Sequence, residues 1–336
     1  MTLKNAKKRK CVLWIVVFMI LMMSVLGCGS SDPRKHEKPR ILIVHSYHLE
    51  YPWTHAIDDG IMSVLGTKGY TIQKVFMDTK RNTEESFKIA AGKKALAIVK
   101  KFKPDIVLAT DDNAQEYCAQ FLVNKTNLSI VFCGLNEEIS KYHYPGNNAT
   151  GVTEQPLIRS SLDFLKKLAL NIRSFTILTD KGNTSEGFVA YFKKQKLPVQ
   201  IDQIVITESF DHWKDVVKKL RSDALIIYTY HTIHDKGKYV EPTTVMEWTT
   251  QHLKKPSVGF FDFSIAGGVL LGDVESGFEH GQLAGQRAIE ILDGKKTTEL
   301  PVVEACRGMF LINAKTAAKL GIDISSLRNI ADKIYE

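Results

Sequence analysis

The chain has 336 residues, 44% hydrophobic and 24% charged, with a formal net charge of +8. That supplies core material for about two domains at ~150 residues each. Five of the cations (Lys4, Lys7, Lys8, Arg9 and Lys10) precede residue 28 with no acid among them, so the remainder carries only +3 and gives no ground for a nucleic-acid-binding surface.

The N-terminus reads as a leader. After the cations comes an uncharged run, Cys11–Gly27, and then Leu26-Gly27-Cys28-Gly29-Ser30. A basic stretch, an apolar stretch and small residues before a cut describe a secretory signal. The cysteine at the cut resembles a bacterial lipobox. The implied product loses a signal peptide, residues 1–27, and carries fatty chains such as palmitate on Cys28. An uncleaved anchor is the alternative, since 17 uncharged residues reach the short edge of a membrane-spanning helix. Residues 28–39 are polar with two prolines and suit a tether. The expected location is the cell envelope, on the extracytoplasmic face, lipid-anchored to a bacterial membrane.

Beyond Arg40, strand and helix patterns alternate. The first set is Ile41–Val44 (strand), Trp53–Gly66 (helix), Thr71–Met77 (strand), Glu84–Phe102 (helix), Asp105–Ala109 (strand), Asn113–Val123 (helix) and Ser129–Cys133 (strand). Asp105–Ala109 is apolar after its first residue, as befits a strand covered on both faces. Residues 146–150 read as a turn-rich break. The second set is Leu157–Leu170 (helix), Phe175–Thr179 (strand), Glu186–Lys194 (helix), Gln203–Ile206 (strand), His212–Leu220 (helix), Ala224–Tyr228 (strand), Thr244–Leu253 (helix) and Ser257–Phe261 (strand). A helix at Gly277–Leu292, a strand at Val302–Leu311 and a helix at Ala314–Leu320 end the chain. The pattern predicts an α/β protein of two doubly wound lobes.

In open α/β sheets, ligands sit beyond the carboxyl ends of the strands, and two facing lobes make a cleft there. The candidates are therefore Ser46, Tyr47 and Trp53 after the first strand, Asp111, Asp112 and Asn113 after the third, Asn136 after the fourth, Glu154 at the first crossing, and Tyr230 and Asp262 in the second half. Tyr47 or Trp53 could stack on a solute, and Asp111 or Asp112 could pair an amine. Capping of the next helix is the competing role for those acids.

These segments resemble a family. HSYHLEYPWTHAIDDGI (45–61), MDTKR (77–81), FKPDIVLATDDNA (102–114), VFCGLN (131–136), GFFDFSIAGGVLLG (259–272), SGFEHGQLAGQRAIEILDGK (276–295) and INAKTAAKLGID (312–323) are similar to solute-binding proteins of ABC transporters, in a group that includes tryptophan-type binders and sensor ectodomains. The resemblance implies a type I periplasmic-binding-protein fold with three crossings. It places residues 40–150 and 275–297 in lobe one, 151–274 and 298–313 in lobe two, and 314–336 in a C-terminal helical segment. One departure is Thr110-Asp111-Asp112-Asn113, where amino-acid binders carry a small Gly-Thr-Pro-type turn.

The function expected is an extracytoplasmic solute-binding subunit of an ABC importer. It would close on a small polar or aromatic metabolite, with an amino acid as one candidate, and serve a permease and an ATPase. The alternative is a ligand-sensing lipoprotein that signals to a separate membrane kinase or cyclase. A monomer is expected, without cofactor, metal or nucleic acid. Zinc capture by His45, His48, His231 and His234 competes weakly, because an i, i+3 pair in extended chain points apart. No nucleophile elbow, phosphate loop or His-Glu-x-x-His is present, so an enzyme is not expected. Cys118, Cys133 and Cys306 have no metal-site spacing; buried apolar roles are expected, with a Cys118–Cys133 disulfide left open.

Overall fold

The computed structural model describes residues 38–168, 171–195, 197, 199–305 and 308–336. The leader, Cys28, nearly all of the tether, and Cys306 lie outside them.

The first sheet has six strands in the order β13-β5-β4-β3-β1-β2. These are β1 (Arg40–His45), β2 (Thr71–Phe76), β3 (Ile106–Thr110), β4 (Ser129–Leu135), β5 (Ala149–Thr153) and β13 (Val303–Glu304), and every pairing is parallel. Helix α1 (Pro52–Leu65) follows β1, α2 (Glu85–Phe102) follows β2 and α3 (Asp111–Tyr117) follows β3. Both faces of this sheet are dry. Ile41, Ile43, Ile106 and Leu108 face α1, while Leu42, Val44, Val107 and Ala109 face α2 and α3. That two-sided burial explains why these strands read as continuous apolar runs.

The second sheet has seven strands in the order β15-β14-β12-β11-β8-β6-β7. In chain order they are β6 (Ser174–Thr179), β7 (Gln200–Ile206), β8 (Ala224–Ile227), β11 (Ser257–Val258), β12 (Leu271–Glu275), β14 (Gly308–Asn313) and β15 (Lys333–Tyr335). A small hairpin of β9 (His234–Asp235) and β10 (Lys238–Tyr239) stands apart. Helices α4 (Ile158–Lys167) and α5 (Asn183–Lys194) cover one face. Helices α6 (Phe210–Lys218) and α7 (Pro242–His252) cover the other, around the buried Trp213. Short α8 (Asp262–Ala266) follows β11.

Helix α9 (Gly277–Leu292) follows β12 of the second sheet yet packs on α1 of the first lobe. Glycine permits that approach. A Cβ on Gly60 would lie 2.1 Å from the Phe278 carbonyl oxygen, and one on Gly281 2.1 Å from that of Ile57. The chain thus passes between sheets three times: after β5, after β12, and between β13 and β14.

Several expectations change. Residues 149–153 form a strand rather than the end of a turn. The single strand expected at Val302–Leu311 is two, one in each sheet, so the segment 298–313 is shared between the lobes. The C-terminal segment contains α10 (Ala314–Leu320) but ends in β15, parallel to β14. Cys118 and Cys133 are separate, buried thiols, so they form no disulfide. Among the described residues, no helix is long and apolar enough to cross a membrane.

Candidate functional site

The carboxyl ends of both sheets meet in a closed cleft. Tyr47 Oη lies 2.9 Å from Thr184 Oγ1, and Asn183 Nδ2 donates to Asn113 Oδ1 at 3.2 Å. Tyr228 Oη donates to Asn136 Oδ1 at 2.5 Å and reaches Glu154 at 3.4 Å. The Tyr51 ring sits 4.6 Å from His231 and 5.8 Å from Phe263, and Trp53 lies 5.5 Å from Phe261. A Cβ on Gly187 would come within 2.9 Å of the Asn136 backbone, so α5 seats against the first lobe at a residue without a side chain.

The first lobe brings acid to this cleft. Asp111 follows β3 with a φ of +62°, a left-handed backbone that costs a non-glycine residue energy and clusters at ligand clamps. Its Oδ1 accepts from Trp53 Nε1 at 2.8 Å and its Oδ2 from Thr110 Oγ1 at 3.2 Å. Those neutral donors do not offset burial, which raises its pKa to about 7 with help from Asp112. Asp112 is raised to about 6, again chiefly by burial. Its carboxylate accepts from Tyr142 Oη at 2.9 Å and from the Asn136 and Glu137 amides at 3.3 Å, which fixes the chain after β4.

Two more acids mark the crossings. Glu154 accepts from Asn136 Nδ2 at 3.1 Å, and Glu275 accepts from the Gln155 amide at 2.8 Å. Burial raises both pKa values, and their mutual repulsion adds to the rise at Glu154. The cation among these groups is Lys80, 4% exposed, with Nζ 4.8 Å from the Tyr47 ring centre and 5.7 Å from that of Tyr51.

The second lobe brings rings. Tyr228, His231, Phe261 and Phe263 follow its strands, with Phe261 and Phe263 stacked at 5.1 Å. Its own acid is spoken for. Asp180 accepts from Ser185 and Thr229 hydroxyls at 2.8 and 2.6 Å, and from the His231 and Thr232 amides at 2.6 and 3.0 Å. The His231 ring is buried with Nδ1 unpartnered, and burial lowers its pKa well below the usual value.

The expected site residues divide. Tyr47, Trp53, Asp111, Asn113, Asn136 and Glu154 lie at the cleft. Asp112 adjoins it as an anchor of the loop after β4. Ser46 is used within lobe one, donating to the Thr110 carbonyl and accepting from the Ala114 amide, both at 2.7 Å. Tyr230 belongs to the second-lobe core, edge-on to Trp213 and within reach of Ser264, and Tyr228 is the tyrosine that spans the lobes. Asp262 is corrected most clearly. It is half exposed and engaged by Tyr335 and Lys333 of β15, so the last strand occupies it. Tyr51, Lys80, Tyr228, Phe261 and Glu275 were not singled out from sequence, and His231 was named only as a candidate zinc ligand. Tyr51 stood in the 45–61 segment and Lys80 in the 77–81 motif. Among the described residues no group of three His, Cys, Asp or Glu could hold a metal. His45 is instead bonded to Asp58 and Thr110 at 3.2 and 3.1 Å.

The family model for ABC transporter substrate binding proteins matches residues 43–333. No curated protein sequence matches the chain. Solved structures do. An ABC domain from Streptococcus pneumoniae in complex with L-Trp has 21% identity and a TM-score of 0.69, over 88% of this chain and 99% of that one. A conserved domain protein from Vibrio cholerae has 16% identity and a TM-score of 0.68, over 89% and 100%. The ligand-free, open form of a substrate-binding protein with adhesive properties from Clostridium difficile has 17% identity and a TM-score of 0.63, over 88% and 99%. At these identities the likeness establishes the periplasmic-binding-protein fold.

Proposed function

Because the chain belongs to the family of ABC transporter substrate-binding proteins, we propose that it captures a small metabolite between its lobes and delivers it to the permease and ATPase of an importer. The reading is of a monomeric, extracytoplasmic binding protein rather than an enzyme, moored through lipid on Cys28. The observation that carries it is the make-up of the cleft. A buried, under-bonded carboxylate, Asp111, stands opposite a wall of aromatic rings. An amine delivered to Asp111 would balance its charge, while a flat apolar group would stack on Tyr51, Phe261 or Phe263. An aromatic amino acid combines both properties, and one structural neighbour was solved with L-Trp. Closure then follows from differential affinity, since a ligand touching both lobes binds the closed form better than the open one.

A thermal-shift panel of amino acids, amines and sugars on the purified protein tests this. A true ligand at 100 times its dissociation constant adds ~2.7 kcal/mol of stability. A panel without any shift would count against solute capture.

A further inference from the structure

We propose that Lys80 and the N-terminus of α5 together form a subsite for an anionic group, a carboxylate or phosphate, on the molecule the cleft takes. The inference rests on the solute-binding reading and adds a chemical feature of the ligand.

Three observations converge. First, Lys80 is buried, and among the described residues its Nζ has neither a hydrogen bond nor a carboxylate within 4.0 Å; its neighbours are the faces of Tyr47 and Tyr51. A buried ammonium without an anion is costly, and aromatic faces offset only part of that cost. Second, α5 is 12 residues long and begins at Gly182, which has no side chain to cap it. Among the described residues, the amides of Asn183, Thr184 and Ser185 have no acceptor. A free helix N-terminus of this kind attracts anions. Third, Lys80 and residues 182–184 line one cavity of about 340 Å³ between the lobes, although they come from different lobes.

Nearby acids do not fill the role. Glu85 on the cavity wall is taken by Tyr117 and Lys88, and Glu208 by Lys181. Glu84 and Glu186 are exposed at the rim. Asp111 feels the charge of Lys80 but is not within 4.0 Å of its Nζ and does not line this cavity. An anion on the ligand would therefore meet Lys80 from one lobe and the α5 amides from the other. Both are brought together only on closure.

Small ions serve as probes of the subsite. Amide chemical shifts of Asn183, Thr184 and Ser185 are followed while acetate, inorganic phosphate or ethylammonium is titrated into the protein. The expected result is a saturable response to at least one anion, with a dissociation constant on the order of millimolar, and none to ethylammonium. Acetate alone acting points to a carboxylate; phosphate alone acting points to a phosphate ester. Lys80→Gln should weaken the response at least ~10-fold, and Lys80→Arg should keep it. Unresponsive amides in the wild-type protein overturn the proposal, and so does a response equal in Lys80→Gln. That failure leaves solute capture standing, which depends instead on the metabolite panel.

Discussion

Asp111 and Asp180 each follow a strand paired on both sides, each is buried, and each lies at the cleft end of its own lobe, yet they are equipped differently. Asp180 is held by two backbone amides and two hydroxyls from its own lobe. Asp111 has an indole N–H and one hydroxyl, sits on left-handed backbone, and is raised to about 7 by burial. A satisfied carboxylate organises loops. An under-satisfied one is a place where an arriving cation gains most. The second lobe commits its aspartate to architecture and offers rings, whereas the first lobe keeps its aspartate for use.

That contrast can be broken from either side. Asp180→Ala should cost the most, about 3 kcal/mol in urea unfolding, because it strands two amides and two hydroxyls. If stability hardly changes, Asp180 is not the organiser described. Asp111→Asn should instead leave the fold intact and weaken an amine-bearing ligand ~10–100-fold by calorimetry.

Its pH behaviour sharpens the point. Asp111, Asp112, Glu154 and Glu275 all have folded-state pKa values above the ordinary ones, so these four groups bind more protons in the folded chain, whereas the buried His231 and His280, both lowered, bind fewer. The stability those acids contribute is greatest below the ordinary carboxylate range and is lost as pH rises through about 7, and the histidines oppose it only below their ordinary range. The ligand-free melting temperature should fall between about pH 7 and pH 8, where the histidines are neutral in both states, and less steeply in Asp111→Asn. A rise over that interval would contradict the burial argument. Gly187→Val should have the smallest effect. Its side chain would meet Asn136 and hold the lobes apart, raising the radius of gyration in X-ray scattering and weakening ligand about tenfold, with unfolding changed by less than about 1 kcal/mol.

The central strands were legible because two-sided burial forces unbroken apolar runs, as in Ile106–Thr110. Edges were not. Ala149–Thr153 follows a glycine- and asparagine-rich turn, and its own Gly151 reads as more turn; only the tight pairing with Phe132 makes it a strand. Val302–Leu311 is β-branched and apolar along much of its length, but nothing local says that its ends join different sheets. At the site, strand-end logic found Asp111, Asn136 and Glu154. It favours Tyr230 over Tyr228 because the apolar run extends one residue past the strand. It misses Lys80 because a lysine in a loop looks solvated until the opposite lobe covers it. Asp262 misleads for the converse reason: its partner, β15, lies over sixty residues away in sequence.

The glycine seat between α1 and α9 has a bearing on biogenesis. A nascent polypeptide of 276 residues already holds five of the six strands of its first lobe, but not the helix that covers Ile57 and Ile61. The second lobe also waits, for β14 and β15. The first lobe is therefore incomplete until β13 and the second until β15, so both halves stay incompletely packed through most of synthesis.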